Sequence, residues 1–174
     1  MLRPALFAAV SVALLAPQVA HARAGLQSQA PVSYQVKGRY KLVSGTTLTQ
    51  GIEQATEDLP MFERMYARHR LADVNPLYKT IQLNTGDCGL ELKFDERSPM
   101  CLKEGQDLDW TREDGEKFAV SLQAKGRRFI QTYKGKDGQR TNTFFVAGSG
   151  NIVIMDVLVR SHKLKKTLRY QLVY

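Results

Sequence analysis

From residue 79 onward the chain is cut into nine short runs, most of them alternating with period two and each closed within a few residues by a turn former. The runs cover 79–84, 89–94, 100–103, 107–111, 117–123, 128–133, 141–146, 152–159 and 164–173. Between them stand Thr85-Gly86-Asp87, Arg97-Ser98-Pro99, Asp114-Gly115, Lys125-Gly126, Asp137-Gly138 and Gly148-Ser149-Gly150. Alternation over such lengths predicts half-buried strands, and connections this short force neighbours to run antiparallel. An earlier run, 34–44, places Tyr34, Val36, Gly38, Tyr40 and Leu42 on one face and makes a first strand. A meander of about ten strands curls, and closing it into a barrel removes its sticky edges. The expected fold is all-β: a closed, antiparallel, up-and-down β-barrel.

One segment breaks the pattern. Thr47-Leu48-Thr49-Gln50 has the form of a capping box, and Leu48, Ile52, Ala55 and Leu59 follow at helical spacing. Pro60 ends that helix and suits the first turn of another. Met61, Phe62, Met65, Tyr66 and His69 then form a second stripe, with Arg64 and Arg68 on another face. The spacing predicts a helix-turn-helix over about 47–70, placed after the first strand as a lid. The Met/aromatic stripe then either faces the barrel opening or packs as ordinary core. Arg64, Arg68 and Arg70 either meet anionic head groups at a membrane surface or stand in solvent.

The first 24 residues read as an export signal: Arg3, an apolar stretch at 5–15, and a cleavage site at Ala22-Arg23-Ala24, with Ala20-His21-Ala22 nearly as good. Residues 25–31 form a polar leader, leaving 32–174 for one domain. The chain is expected to be exported, periplasmic or secreted. Removing Arg3 and Arg23 from the 25 basic residues leaves 23 against 17 acidic ones, scattered rather than clustered. A solvated surface accounts for them, or a basic surface facing an anionic partner. In an oxidising compartment Cys88 and Cys101 are expected to bridge. Enzyme chemistry finds no foothold: His69 and His162 are far apart in sequence, and no metal-spaced cluster, nucleophile elbow or phosphate loop occurs. The run Asp107, Asp109, Glu113, Asp114 and Glu116 reads as a solvated turn. Neither an enzyme, a metal, a cofactor nor nucleic-acid binding is expected, and a monomer is.

The order of elements resembles the fatty-acid-binding-protein family, the intracellular lipid-binding branch of the calycin/lipocalin superfamily. Gly38-Arg39-Tyr40-Lys41-Leu42-Val43-Ser44 resembles the family's opening strand. Residues 81–92, with Asn84, Gly86 and Asp87, resemble its second hairpin, and Gly105-Gln106-Asp107-Leu108-Asp109 a later segment. Asp137-Gly138 matches a late hairpin turn, and Lys166-Thr167-Leu168-Arg169-Tyr170 the closing strand. Two departures stand out. Family members normally lack export signals. The family's clamp of two arginines and a tyrosine also maps imperfectly: its first arginine falls on Phe145, its second on Arg169, and its tyrosine on Gln171, with Tyr170 one residue early.

The resemblance implies a binding protein that carries a hydrophobic or amphipathic small molecule, such as a fatty acid, in a barrel cavity. The residues expected to line it are Arg169, Gln171, Tyr170, Phe145 and Thr132, with Phe62, Met65 and Tyr66 from the lid. Within the last strand two facings stay open: Arg169 and Gln171 inward, or Leu168, Tyr170, Leu172 and Tyr174 inward. The alternative function is a secreted interaction or inhibitor protein using a packed barrel as scaffold.

Overall fold

A computed structural model describes residues 34–45 and 47–174. The expected export signal and leader lie outside the described residues. The strands and helices follow in the expected order: β1 (Lys37–Lys41), α1 (Thr47–Thr56), α2 (Met61–Val74), β2 (Thr80–Gly86), β3 (Gly89–Phe94), β4 (Met100–Leu102), β5 (Leu108–Thr111), β6 (Lys117–Lys125), β7 (Arg128–Lys134), β8 (Gly138–Ala147), β9 (Ile152–Ser161) and β10 (Leu168–Val173).

The ladders divide into a four-stranded sheet, β1-β2-β3-β4, and a six-stranded sheet, β10-β9-β8-β7-β6-β5, antiparallel throughout. Single bridges join the two. On one side Ser44 pairs with Val173, with reciprocal backbone hydrogen bonds of 3.2 and 2.8 Å. On the other, β4 and β5 are consecutive in the chain yet do not pair, against the expectation for so short a connection. Glu104, in the loop between them, makes a parallel bridge to Leu122 and accepts the Ala124 N–H on its carboxylate at 3.0 Å. A side chain there occupies a donor that a neighbouring strand would otherwise take.

Cys88 and Cys101 are joined, tying the β2–β3 turn to β4. With 13 residues of separation the closed loop is expected to stabilise the fold by about 3 kcal/mol through the unfolded chain.

Both helices sit at one end of the sheets. Leu48, Gly51, Ile52, Ala55 and Thr56 form the buried face of α1, which lies on β10. Gly51 permits the approach, since a Cβ there would stand 2.3 Å from the Arg169 carbonyl oxygen. The Thr47 hydroxyl does not close a capping box with Gln50. It donates to the Gln171 carbonyl (3.1 Å) and accepts the Gln171 N–H (2.8 Å), pinning the start of α1 to the last strand. Pro60 opens α2, as its fixed φ allows. Asn75 ends it, donating from backbone and side chain to the Leu71 carbonyl. Outer tethers hold the pair down: Arg70 on Asp114 in the β5–β6 turn (3.0 Å), and Lys166 on Glu57 and Asp58.

Candidate ligand site under the helical pair

Alternate residues of the six-stranded sheet form transverse rows on its inner face, fixed by the strand register. Farthest from the helices run Tyr174, Val153 and Val146. Next come Leu172, Met155, Phe144 and Phe129, all with no exposed surface. Then follow Tyr170, Val157, Asn142, Gln131 and Leu122, and after them Leu168, Val159, Arg140, Tyr133, Val120 and Leu108. Phe118 and Trp110 form the rim nearest α2. The interior therefore changes character along its depth: apolar at the closed end, polar in the middle, aromatic at the mouth.

The closed end is solid. Phe94 of the four-stranded sheet meets Phe144 across the interior with ring centroids 6.3 Å apart, and Ile81, Leu83, Leu90 and Leu92 are fully buried. At the polar level Met100 reaches across, its sulfur 3.9 Å from Gln131 Nε2 and 3.7 Å from the Tyr133 hydroxyl. The wide empty interior expected behind a lid is absent from these rows. An open depression of about 720 Å³, lined by Glu104, Asp107, Ser121, Gln123 and Lys125 among others, lies along the β4–β6 seam.

The polar level is one chain of hydrogen bonds. Arg140 Nε donates to Asn142 Oδ1 (2.9 Å), Asn142 Nδ2 to Gln131 Oε1 (2.9 Å), and Gln131 Nε2 to the Tyr133 hydroxyl (2.9 Å). Arg140 Nη1 also donates to Asn75 Oδ1 at 3.1 Å, so the end of α2 and the buried network are one assembly. Gln131 and Asn142 are almost wholly buried, and their amides are satisfied within this chain, as burial demands. Three donors are not. Arg140 Nη2 and the hydroxyls of Tyr170 and Tyr174 are buried and make no hydrogen bond of good geometry among the described residues, although Arg140 stands close enough to the Tyr170 hydroxyl to act on it electrostatically. None of the ion pairs among the described residues includes Arg140. Burial holds the phenols of Tyr133, Tyr170 and Tyr174 above their ordinary pKa, so all three are neutral donors at physiological pH.

At the mouth, Trp110 and Tyr133 meet edge to face with centroids 5.4 Å apart, as do Phe118 and Tyr133 at 6.1 Å. Trp110 and Phe118 are half-buried, and the Arg112 guanidinium covers Phe118 at 5.3 Å. Arg112, and after it Arg70, holds the Asp114 carboxyl well below the usual carboxylate range.

Of the residues expected to line a site, Tyr170 alone faces the interior. Arg169 and Gln171 point to solvent, and Gln171 Nε2 donates to Asp156 (2.7 Å). Leu168, Tyr170 and Leu172 occupy the inner rows, and alternation then forces the residues between them outward. The same parity puts Thr132 and Phe145 on the outer face, Phe145 under the Arg128 guanidinium. Phe62, Met65 and Tyr66 also turn away from the interior, 83%, 61% and 74% exposed, because α2 buries its opposite side through Leu71. Arg64 donates to the Leu59 and Glu57 carbonyls, Arg68 to the Thr56 hydroxyl, and Arg70 to Asp114. All three are engaged within the chain. His69 and His162 are exposed, and no cluster among the described residues could hold a metal ion.

The inner polar residues Arg140, Asn142 and Gln131 were not anticipated. A usable signal existed in Arg140-x-Asn142-x-Phe144-x-Val146, a period-two stripe whose apolar half gives way to two polar residues.

Ten antiparallel strands with a helix pair after the first define the fold of the intracellular lipid-binding proteins of the calycin group. Comparison with known proteins agrees. The chain is similar to the fatty-acid-binding protein from brain tissue of Drosophila melanogaster, with 15% identity and a TM-score of 0.52, covering 80% of this chain and 98% of that one. It is likewise similar to the fatty-acid-binding protein isolated from Manduca sexta, with 14% identity and a TM-score of 0.50, covering 81% of this chain and all of the other. No family model and no curated protein matches.

Proposed function

We propose that the chain is an exported, non-enzymatic binding protein. In this reading it holds an amphipathic acid beneath the helical pair, within strands closed as a barrel. The acid's head group sits on Arg140, with the Tyr170 hydroxyl as a further donor. One observation carries the reading: the buried Arg140 Nη2 and the nearby Tyr170 hydroxyl form no hydrogen bond of good geometry, and no ion pair among the described residues reaches Arg140. A guanidinium held partly out of water, as Arg140 is, is costly unless an anion meets it. A bound carboxylate supplies that anion, and the surrounding apolar side chains favour an attached hydrophobic group. The proteins similar in fold are named for fatty-acid binding, which is consistent with this ligand class.

The test is native mass spectrometry of the purified protein with organic extraction, followed by displacement of a fluorescent carboxylate. A co-purifying acid, or displacement that Arg140→Gln abolishes, supports the reading. Recovery of no small molecule together with no displacement removes it. Export is tested separately, by N-terminal sequencing of the protein recovered outside the cytoplasm; an intact Met1 would contradict it.

A second reading rests on a different observation. Met61, Phe62, Met65 and Tyr66 form an exposed apolar face on α2, above an interior packed solid at its far end. Such a face suits an interaction protein that uses the barrel as scaffold, or contact with a membrane surface. Replacing Phe62 and Tyr66 by Ser and measuring liposome and partner binding separates the two from ligand holding, since neither side chain approaches Arg140.

A further inference from the structure

We infer that the acid accepted by this site is compact and ring-bearing, an aromatic carboxylate, and not a long-chain fatty acid. This rests on the proposed role of Arg140 and adds a limit on what it holds. A long acyl chain gains its affinity from burying methylenes, about 0.8 kcal/mol each. Those methylenes need a channel leading away from the head group into the interior, and the described rows beneath Arg140 provide none. Directly beneath Arg140 lies the Asn142–Gln131 pair, hydrogen-bonded to its neighbours and nearly without exposed surface. Met100 closes that level from the opposite sheet. Below it Phe129, Phe144, Met155 and Leu172 are wholly buried. Threading a tail past this layer requires breaking satisfied buried hydrogen bonds and displacing close-packed rings, and both are costly.

On the other side, toward the mouth, the lining turns aromatic. Arg140 and Tyr133 are register partners, and Phe118 and Trp110 continue the same face on the next two strands. With strands about 4.8 Å apart, Phe118's strand lies about 10 Å from Arg140's, the span of a two-ring acid. Trp110 meets Tyr133 at 70° and stays half-buried, which leaves part of its ring for stacking a flat ligand, while the face of Phe118 is taken by the Arg112 guanidinium. Asn75 ties Arg140 to the end of α2, so the helix closes over whatever lies on this face.

Trp110 is the chain's single tryptophan, so its emission reports on the site directly. The experiment titrates the purified protein with 1-naphthoate and with palmitate, by calorimetry and by Trp110 fluorescence, in the native chain, Arg140→Gln and Trp110→Leu. The expected result is quenching of Trp110 by naphthoate, at least tenfold tighter binding of naphthoate than of palmitate, and at least a tenfold loss in Arg140→Gln. Trp110→Leu weakens naphthoate while leaving the melting transition in place. Palmitate binding as tightly as naphthoate, in an Arg140-dependent way, overturns the compact-ring limit and leaves the acid site standing. Binding of neither carboxylate overturns both.

Discussion

Tyr133 and Arg140 stand opposite each other across β7 and β8, on the inner face, and each is tied to the same buried amide pair from a different end. The amides of Gln131 and Asn142 are thereby oriented head to tail, with every carbonyl facing a donor. The consequence falls on Arg140. Two of its nitrogens are used to order the network and the end of α2, while Nη2 is left over. A network complete except for one cationic donor is what the proposed anion site requires.

Arg140→Met separates the two roles of this side chain. The variant removes a half-buried positive charge that no carboxylate among the described residues balances, and its apolar stem fills similar space. No carboxylate is stranded, but the buried Oδ1 atoms of Asn142 and Asn75 each lose a donor, at about 1–3 kcal/mol apiece. The melting temperature is therefore expected to fall in ligand-free protein, and carboxylate affinity to fall by about tenfold or more. Calorimetric melts with and without 1-naphthoate check both. A loss of stability with carboxylate affinity unchanged would show that Arg140 is a structural strut only.

Gly51→Ala sets two effects of opposite sign against each other. Alanine favours a helix interior over glycine by about 1 kcal/mol. The added methyl would nevertheless stand 2.3 Å from the backbone oxygen of Arg169 and 3.1 Å from Leu168. Backbone cannot yield as a side chain does, and overpacking of this kind costs about 1–3 kcal/mol. Repulsion wins: the variant is expected to melt lower, while Gln54→Ala on the exposed face of α1 does not. Denaturant titration of both variants decides.

Much of the fold was legible before any coordinates. Turn formers such as Asp114-Gly115 and Asp137-Gly138 act locally, so the short strands, and the two helices meeting at Pro60, could be read from spacing alone. The site was not, because facing depends on register, and one residue reverses it. In β10 both parities look plausible, with Arg169 and Gln171 on one and Tyr170 and Leu172 on the other; hydrophobic burial against α1 and β9 settles it. The α2 stripe misled for a related reason. Its apolar residues share a face, but Leu71, Asn75 and the three arginines anchor the opposite side, and contacts with distant elements cannot be read from periodicity.

The Arg70–Asp114 pair predicts an acid-sensitive lid. Arg112 first, then Arg70, lowers the Asp114 pKa below its unfolded value of about 3.9. A depressed carboxylate contributes stability that is present above the unfolded pKa and is lost as pH falls through the folded one. Hydrogen exchange in α2 should therefore accelerate as the pH drops below about 4. Asp114→Asn should show faster exchange already at pH 7 and a weaker acid dependence. Equal exchange profiles for the two proteins would rule out this tether.

Tyr170→Phe tests the polar level from the other strand. The Tyr170 hydroxyl is buried beside Arg140 without a hydrogen bond of good geometry, and a buried hydroxyl left unsatisfied costs about 1–3 kcal/mol. Deleting it should stabilise the ligand-free protein while weakening a carboxylate held jointly with Arg140. An alkaline signature accompanies this. Burial raises the pKa of Tyr170 in the folded chain, so stability present below about pH 10 is lost as pH rises and the unfolded chain releases its phenolic proton. Phenylalanine has no proton to release, so the variant's melting temperature should fall less steeply above pH 10 than the native protein's. Parallel alkaline slopes, or a destabilised variant at neutral pH, would mean that the hydroxyl already has a partner and that the polar level is complete without a ligand.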